Sequence, residues 1–344
     1  MRIAIVDPGA IPIPPETYGG VERIVHAMVH AAGEQGHTVT LFAHPDSEVD
    51  CELIPYGWGR GGQKHGLLSR SLTIWPEMLK RRFDVAHSFA YRFLPVLPLL
   101  GRVPLIRSFQ LPVQDTLKLK AESLIAGQKL VFTACSRSCA EPARNTGEWR
   151  VIYNCVPIGN YDFAEHLGKQ PYLAFLGRFD RCKGAHHAIS VARATGLPLK
   201  MAGIMGLTEE SPAYFNSEIA PHIDGEQIQY VGSVDEEEKN TFLGGALAFL
   251  MPIEWEEPFG IVMAEALACG TPVVGFSRGS VPEVVRHEQT GYVCESLEDM
   301  IQNVRRVKEI DRKTCREDAE DRFSQQVITR QYLDLYSEVW HRCR

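Results

Sequence analysis

The chain has 344 residues, of which 44% are hydrophobic and 23% charged, enough for two domains that each bury their own core. A formal net charge of -7 argues against bulk affinity for DNA or RNA, because neutralising phosphates needs an excess of Lys and Arg. The nine cysteines form no CxxC pair, which indicates neither a disulfide framework nor a zinc site.

Short apolar runs alternate with helical patterns from the start of the chain, which is typical of parallel sheets with crossover helices. A glycine-containing loop and a helix over Val21–Glu34 separate the first two predicted strands. The predicted strands of this half are Arg2–Val6, Thr38–Phe42, Val85–His87, Leu105–Ser108 and Leu130–Ala134.

A second series of strands begins after Asn154–Tyr161, where Pro157 and Gly159 interrupt both periodicities. The predicted strands are Tyr172–Phe175, Leu199–Ala202, Gln229–Val231, Ala248–Met251 and Pro272–Val274. We therefore predict an α/β protein of two doubly wound domains, residues 1–155 and 156–325, with a terminal amphipathic helix in 326–344 that packs back on the first.

The most informative stretch is EPFGIVMAEALACGTPVV, which runs from Glu257 to Val274. It predicts a loop carrying Glu257 and a helix from about Phe259 to Gly270, with Glu265 more than one turn inside. The N–H groups of Gly260, Ile261 and Val262 at the helix start would be a natural seat for a diphosphate.

Two cations follow the first strand of the second domain, in the sequence GRFDRCKG from Gly177 to Gly184. Arg178 and Lys183 would lie at the carboxyl end of that strand, where they suit a diphosphate without a metal ion. An ordinary polar loop is the alternative for this stretch taken alone. His186 and His187 follow it and are expected to begin the next helix.

Together with YGGVER at residues 18–23, these stretches resemble glycosyltransferase family four, whose members are retaining enzymes of the GT-B fold. The resemblance covers most of the second half and the first 45 residues, and it is weaker between about 50 and 150. It implies two Rossmann-like domains facing across a cleft, the first on the acceptor side and the second binding the donor.

The resemblance also implies roles for individual residues. Arg178 and Lys183 would contact the donor diphosphate and stabilise the leaving group, and Glu257 would bind hydroxyls of the sugar. Glu265 would bind the ribose, as part of a donor site that also includes eight further residues. These are Gly19, Gly20, Gly232, Val234, Phe259, Gly260, Ile261 and Val262.

Two motifs of the first domain depart from the family pattern. A histidine that many relatives place after the Asp-Val-x-His strand end is replaced by Phe89, and a later Leu-His-Gly reads Phe109-Gln110-Leu111. His87 or Gln110 would then have to supply a contact to the sugar or the acceptor.

The implied function is transfer of a hexosyl unit from a nucleotide sugar to a glycan, lipid or small-molecule acceptor. We expect UDP to be the nucleotide of the donor. We expect no cofactor and no metal ion. One alternative is a catalytically silent member that binds a sugar nucleotide or glycan as a subunit or sensor, and a sugar-nucleotide epimerase is another.

Residues 1–155 hold 17 Lys and Arg against 14 Asp and Glu, and the remainder holds 19 against 29. Basic clusters at Lys80-Arg81-Arg82 and at Arg60, Lys64 and Arg70 would favour an anionic acceptor or a membrane surface, with solvated surface charge as the alternative. The first strand leaves no room for a signal peptide and no apolar run reaches the length of a membrane span, so we expect a cytoplasmic protein with a peripheral contact to the inner membrane face at most.

Overall fold

The structure is a computed structural model, and it describes residues 1–15, 19–56, 67–90, 103–113, 115–206 and 208–344, without the side chains of 67–73. The chain divides into two compact units, Met1–Cys155 with Gln325–Arg344, and Val156–Ser324. Arg60, Lys64 and Tyr18 lie outside the described residues.

The first unit contains a parallel sheet with the strand order β3-β2-β1-β4-β5-β6-β7. Its strands are β1 Arg2–Val6, β2 Thr38–Ala43, β3 Glu52–Pro55, β4 Val85–Ser88, β5 Leu105–Phe109, β6 Leu130–Ala134 and β7 Trp149–Val151. Helices of the unit are Gly20–Glu34, Leu67–Lys80, Thr116–Ala126, Arg137–Ala140 and Gln325–Arg342.

The core of this unit forms around buried apolar side chains of β1, β2 and β4, as expected for strands covered by helices. The terminal helix Gln325–Arg342 adds Ile328, Tyr332 and Tyr336 to that core. A Glu122 carboxylate on Thr116–Ala126 accepts a hydrogen bond from the buried Arg107 guanidinium and anchors that helix to β5.

The second unit contains a parallel sheet with the strand order β10-β9-β8-β11-β12-β13. Its strands are β8 Tyr172–Leu176, β9 Leu199–Ala202, β10 Ile228–Tyr230, β11 Ala246–Met251, β12 Val273–Phe276 and β13 Gly291–Cys294. Helices of the unit are Ala185–Thr195, Ser211–Tyr214, Glu236–Gly244, Ile261–Ala268, Val281–Val284, Leu297–Arg306 and Arg312–Phe323.

The ten predicted strands all form, with boundaries that move by up to two residues. Three further strands, β3, β7 and β13, were absent from the sequence prediction. Each has only three or four residues and lies at a sheet edge, where it pairs on one side, so its sequence carries little alternation.

Candidate functional site

The strand order of the second unit has a topological switch point between β8 and β11, its two central strands. Crossovers leave this point in opposite directions, so a crevice opens outside the carboxyl ends of the two strands, where such sheets bind ligands. The segments that follow β8 and β11, residues 177–184 and 252–260, carry Arg178, Lys183 and Glu257, the predicted site residues that are charged and lie outside an α-helix.

These two segments touch through their backbones. A Cβ atom on Gly184, whose φ is +75°, would lie 1.8 Å from the carbonyl oxygen of Pro252. Gly279, with φ +54°, is also closely packed, because a Cβ atom on it would lie 2.3 Å from the main-chain nitrogen of Glu257. Only glycine permits contacts this close, and they fix Lys183 and Glu257 beside each other.

Lys183 and Glu257 form an ion pair, with 2.6 Å between Nζ and Oε2. The same oxygen accepts a hydrogen bond of 2.9 Å from the indole nitrogen of Trp255, whose ring lies 4.8 Å from the ammonium group. Both charged side chains are largely buried. Their surroundings therefore have a lower dielectric constant than water, and the attraction between the two charges holds the pair in a defined geometry.

Arg178 lies on the same segment and donates from Nε to Asp180 Oδ2 at 2.9 Å. Burial would raise the pKa of Asp180, but hydrogen bonds from Ser211 and Arg178 outweigh it and the pKa lies below its ordinary value. Asp180 is therefore ionised at neutral pH and orients the guanidinium group of Arg178, whose side chain is 30% exposed. Asp180 was not singled out from the sequence.

The helix of the second segment begins at Ile261, two residues later than predicted, after Gly260 with φ +66°. The N–H groups of Ile261 and Val262 have no carbonyl of their own helix to bond and carry the positive end of its dipole. Gly260, Ile261 and Val262 are partly exposed.

The side chain of Phe259 is 2% exposed and packs on Phe323 with 5.7 Å between ring centroids. The side chain therefore fills the core below the segment, and the donor role of Phe259 stays a prediction.

Glu265 lies inside the helix and is buried. Its Oε1 accepts from the Tyr161 hydroxyl at 2.9 Å and from Lys239 Nζ at 2.7 Å. Burial, with a smaller effect of the Glu265 charge, raises the pKa of Tyr161, so the hydroxyl keeps its proton and donates. Tyr161 and Lys239 lie far from Glu265 in sequence, and no local pattern indicated either.

Gly232 and Val234 follow β10 at the same edge of the sheet. The carbonyl of Gly232 accepts from the N–H of Gly203 at 2.8 Å, and a Cβ on Gly203 would lie 1.8 Å from the carbonyl oxygen of Gly177. The ends of β8, β9 and β10 are thereby joined, and Gly232 borders the segment that carries Arg178.

Two family models match consecutive parts of the chain: "Glycosyl transferases group 1" matches residues 160–325, and "Glycosyltransferase Family 4" matches residues 18–159. Together they span both units. The chain belongs to glycosyltransferase family 4.

Among its relatives is phosphatidyl-myo-inositol mannosyltransferase of Propionibacterium freudenreichii, with 24% identity over 84% of this chain and 80% of the relative. AviGT4, a glycosyltransferase involved in avilamycin A biosynthesis, has a similar structure, with a TM-score of 0.71 and 22% identity over 99% of this chain and 98% of that one. Anabaena Alr3699/HepE, solved in complex with UDP, has a TM-score of 0.75 and 17% identity over 98% of this chain and 100% of that one. The fold is thus that of the GT-B glycosyltransferases, with two Rossmann-like domains.

In this family 4 glycosyltransferase, the remaining predicted site residues belong to the first unit. Gly19 and Gly20 begin the helix Gly20–Glu34, and a Cβ on Gly19 would clash with Pro15 and Ile11, whereas Gly20 borders open space. Gln110 follows β5, and its amide nitrogen is buried with no hydrogen-bond partner among the described residues.

A further polar residue at the switch point of the first unit is Asp7, at the end of β1. Its Oδ2 accepts from the N–H of Gly9 at 2.6 Å, and its Oδ1 is buried with no partner in the described part of the chain. Burial, opposed by the Gly9 hydrogen bond and assisted by Glu22, raises the pKa of Asp7 to about 8. A carboxyl group that is neutral at pH 7 therefore lies where this half of the glycosyltransferase would bind a ligand.

His87, one of the two residues predicted as a possible contact to the sugar or the acceptor, lies in the core of the first unit. It is fully buried, and both ring nitrogens are bonded within the first unit, Nδ1 to the Tyr336 hydroxyl at 2.5 Å and Nε2 to Ser108 Oγ at 2.6 Å. The strand carries it into the core because His87 pairs with Ile5 and Ile106 in the middle of the sheet. Burial lowers its pKa to about 3.

This environment predicts a stability effect that depends on pH. The unfolded chain protonates His87 below its ordinary pKa of 6.5, whereas the folded chain cannot until about pH 3, so the contribution of His87 to the free energy of unfolding falls by about 1.4 kcal/mol per pH unit across that interval. We expect His87→Gln to destabilise the protein at pH 7.5 and to lose less stability than the wild type on acidification to pH 5.0. Thermal unfolding at the two pH values measures both effects.

The matched control is His166→Gln, because the side chain of His166 is 88% exposed. The melting temperature of the His166→Gln variant should change with pH as that of the wild type does. A His87→Gln variant with an unchanged melting temperature and weakened nucleotide binding would restore the ligand role.

Proposed function

We propose that the chain is a retaining hexosyltransferase that takes its hexosyl unit from a UDP-linked sugar and transfers it to a glycan, lipid or small-molecule acceptor. The observation that carries the proposal is the Lys183–Glu257 pair at the switch point, beside a helix N-terminus and on the same segment as Arg178. The UDP complex of the structurally similar HepE supports the choice of nucleotide.

The diphosphate has two negative charges to balance, and the site offers two cations and a helix dipole. Arg178 presents nitrogens that Asp180 leaves free, and Ile261 and Val262 supply N–H groups. Lys183 exchanges part of its contact with Glu257 for a phosphate oxygen. No metal ion is needed for this balance of charge.

The two glutamates bind the two sugars of the donor. Glu257 accepts hydroxyls of the hexose, with Trp255 and Lys183 fixing its orientation. Glu265 accepts ribose hydroxyls at Oε2, because Tyr161 and Lys239 already occupy Oε1. The base lies near Gly232 and Val234.

Three residues of the first unit are proposed separately as ligand contacts. Gly19 and Gly20 would contact phosphates by their backbone, and the Gln110 amide nitrogen, which has no partner among the described residues, would meet a hydroxyl of the sugar or the acceptor.

The anomeric configuration is retained because the acceptor attacks the anomeric carbon on the same face that the leaving group occupies. The acceptor oxygen bonds to the anomeric carbon as the bond from that carbon to the diphosphate oxygen breaks, and the acceptor proton passes to the diphosphate. This route requires no carboxylate nucleophile. Arg178, Lys183 and the helix N-terminus stabilise the charge that develops on the leaving oxygen.

The first test is calorimetric titration with UDP, GDP and ADP in the absence of metal ions. We expect tight binding of UDP and a loss of about 100-fold or more in the Arg178→Ala, Lys183→Ala double variant, since each charged hydrogen bond contributes about 1.5–3 kcal/mol.

Arg181→Ala is the matched control because Arg181 lies on the same segment but is exposed and paired with Glu218. Its variant should bind UDP as the wild type does. Failure of the wild type to bind any of the three nucleotides would refute the donor site, and tight binding of GDP or ADP alone would refute the choice of UDP.

The second test addresses catalysis. With a panel of UDP-hexoses and acceptors, Glu257→Gln should lower kcat/KM by about 100-fold in an assay of UDP release, since it loses the anionic acceptor of the sugar hydroxyls. Glu256→Gln, at the exposed neighbouring carboxylate, should retain activity. Product NMR should show the anomeric configuration of the donor, and inversion would contradict the mechanism.

The silent-member alternative makes a different prediction for the same assay. A silent member would bind UDP but would release no UDP from any donor in the panel. The retained Arg178, Lys183, Glu257 and Glu265 favour the enzyme, because a binding subunit does not need residues that stabilise a leaving group.

Peripheral membrane contact is proposed for the helix Thr116–Ala126. Leu117, Leu124 and Ile125 are 82%, 77% and 68% exposed, and at 3.6 residues per turn they lie on one side of the helix, flanked by the exposed Lys118 and Lys120. An apolar strip between lysines suits the headgroup region of an anionic membrane. Within the described residues, no helix has the length and apolar character needed to cross a bilayer.

The basic cluster predicted from the sequence contributes less, because the Arg81 guanidinium is paired with Glu52 and Glu77. Flotation with vesicles of phosphatidylcholine and phosphatidylglycerol tests the helix. We expect the Leu117→Ser, Leu124→Ser, Ile125→Ser variant to bind at least tenfold more weakly than the wild type. Leu79→Ser, which changes an exposed leucine of another helix, should bind as the wild type does, and flotation of all three to the same extent would contradict the proposal.

A further inference from the structure

Two imidazoles and one carboxylate converge beside the proposed donor site. His186 and His187 lie in the first turn of the helix Ala185–Thr195, and Glu254 lies on the segment that follows β11. The Oε1 atom of Glu254 is 3.0 Å from Nε2 of His187 and 3.4 Å from Nε2 of His186. The candidate ligand atoms all lie within 4.8 Å of one another, an arrangement that no other residues form in the described part of the chain.

Each of the three side chains is oriented by a separate contact. The hydroxyl oxygen of Tyr214 lies 2.8 Å from Nδ1 of His186 and accepts from the main-chain N–H of the same residue at 3.2 Å. A proton on Nδ1 then leaves the lone pair of Nε2 directed at Glu254, which is the tautomer that binds metals through Nε2.

The other two ligands are held independently of Tyr214. The ring of His187 packs edge-on against Phe276, with 5.3 Å between ring centroids. The N–H of Glu254 donates to the carbonyl of Cys182 at 2.8 Å, which ties its segment to the one that follows β8.

We propose that His186, His187 and Glu254 bind one divalent transition-metal ion, with water in the remaining coordination positions. Two neutral imidazoles and a carboxylate form a set that suits Zn²⁺, Co²⁺ or Ni²⁺ and is poorly suited to Ca²⁺ or Mg²⁺, which prefer oxygen ligands. Three protein ligands leave at least one position open. The partial exposure of all three side chains gives an ion direct access from solvent.

The site departs from the sequence expectation of a protein without a metal ion. It lies outside the proposed donor contacts but connects the same two segments, since His186 follows Lys183 by three residues and Glu254 precedes Glu257 by three. A bound ion would link these segments in addition to the contact of Gly184 with Pro252. Metal should therefore raise the thermal stability of the second unit.

Titration with Co²⁺ tests the site in protein that carries no histidine tag and has been treated with chelator. Cobalt is the probe because its visible spectrum distinguishes imidazole and carboxylate ligands from thiolates, and the chain has nine free cysteines. We expect one ion per chain, no thiolate charge-transfer band, and a rise in melting temperature. Zn²⁺ should displace the cobalt.

The variants are His187→Gln and Glu254→Gln, alone and together, since both side chains lie at the surface and can be replaced without opening the core. The double variant should bind Co²⁺ at least tenfold more weakly while melting at the wild-type temperature without metal. His166→Gln is the control for loss of a histidine elsewhere and should bind as the wild type does.

Three results would overturn the proposal: no cobalt binding by the wild type, binding unchanged in the double variant, or a spectrum dominated by thiolate ligands. No nucleotide is present in this titration, so its failure leaves the donor site unaffected, and a failure of UDP binding leaves the metal site unaffected.

Discussion

The second unit depends on backbone contacts between the segments that leave β8, β9 and β11. Gly184 lies against Pro252, Gly203 lies against Gly177, and a Cβ atom on either glycine would lie 1.8 Å from a carbonyl oxygen. Side chains cannot form contacts this close, so the polypeptide itself sets the width of the crevice at the carboxyl edge of the sheet. Lys183, Arg178 and Glu257 take their positions from that geometry.

Each cationic side chain in the crevice is paired with a carboxylate that holds it in place. Arg178 is paired with Asp180, Lys183 with Glu257 and Lys239 with Glu265, at 2.6–2.9 Å. An uncompensated charge would be costly at this degree of burial, and pairing removes that cost while the site is empty of ligand. In the proposed site, a diphosphate would meet side chains that are already oriented, which would lower the entropy lost on binding. The same segments hold the two histidines and Glu254, so a metal ion and a nucleotide would act on one piece of structure.

The first unit uses its polar residues in a different way. His87 and Tyr336 lie within its core, and Asp7 is buried after β1 with one oxygen that has no partner among the described residues. Contacts between residues far apart in sequence create these environments, since His87 and Tyr336 are 249 residues apart in the chain. The terminal helix is thus part of the core of the first unit, and the apolar strip of Thr116–Ala126 is left on its surface.

The sequence by itself determined the period and order of the elements, and with them the edge of the sheet at which Arg178, Lys183, Glu257 and Glu265 would lie. Those properties are local: strand length, glycine positions and the spacing of polar residues after apolar runs. Burial and partners were decided only by the tertiary structure, because they depend on residues far apart in the chain. That is why Phe259 and His87 lie in the core, why Tyr161, Lys239 and Asp180 were missed, and why His186 and His187 acquire Glu254 as a neighbour. Three of the four edge strands, β3, β7 and β13, escaped prediction for the related reason that their pairing, and not their sequence, makes them strands.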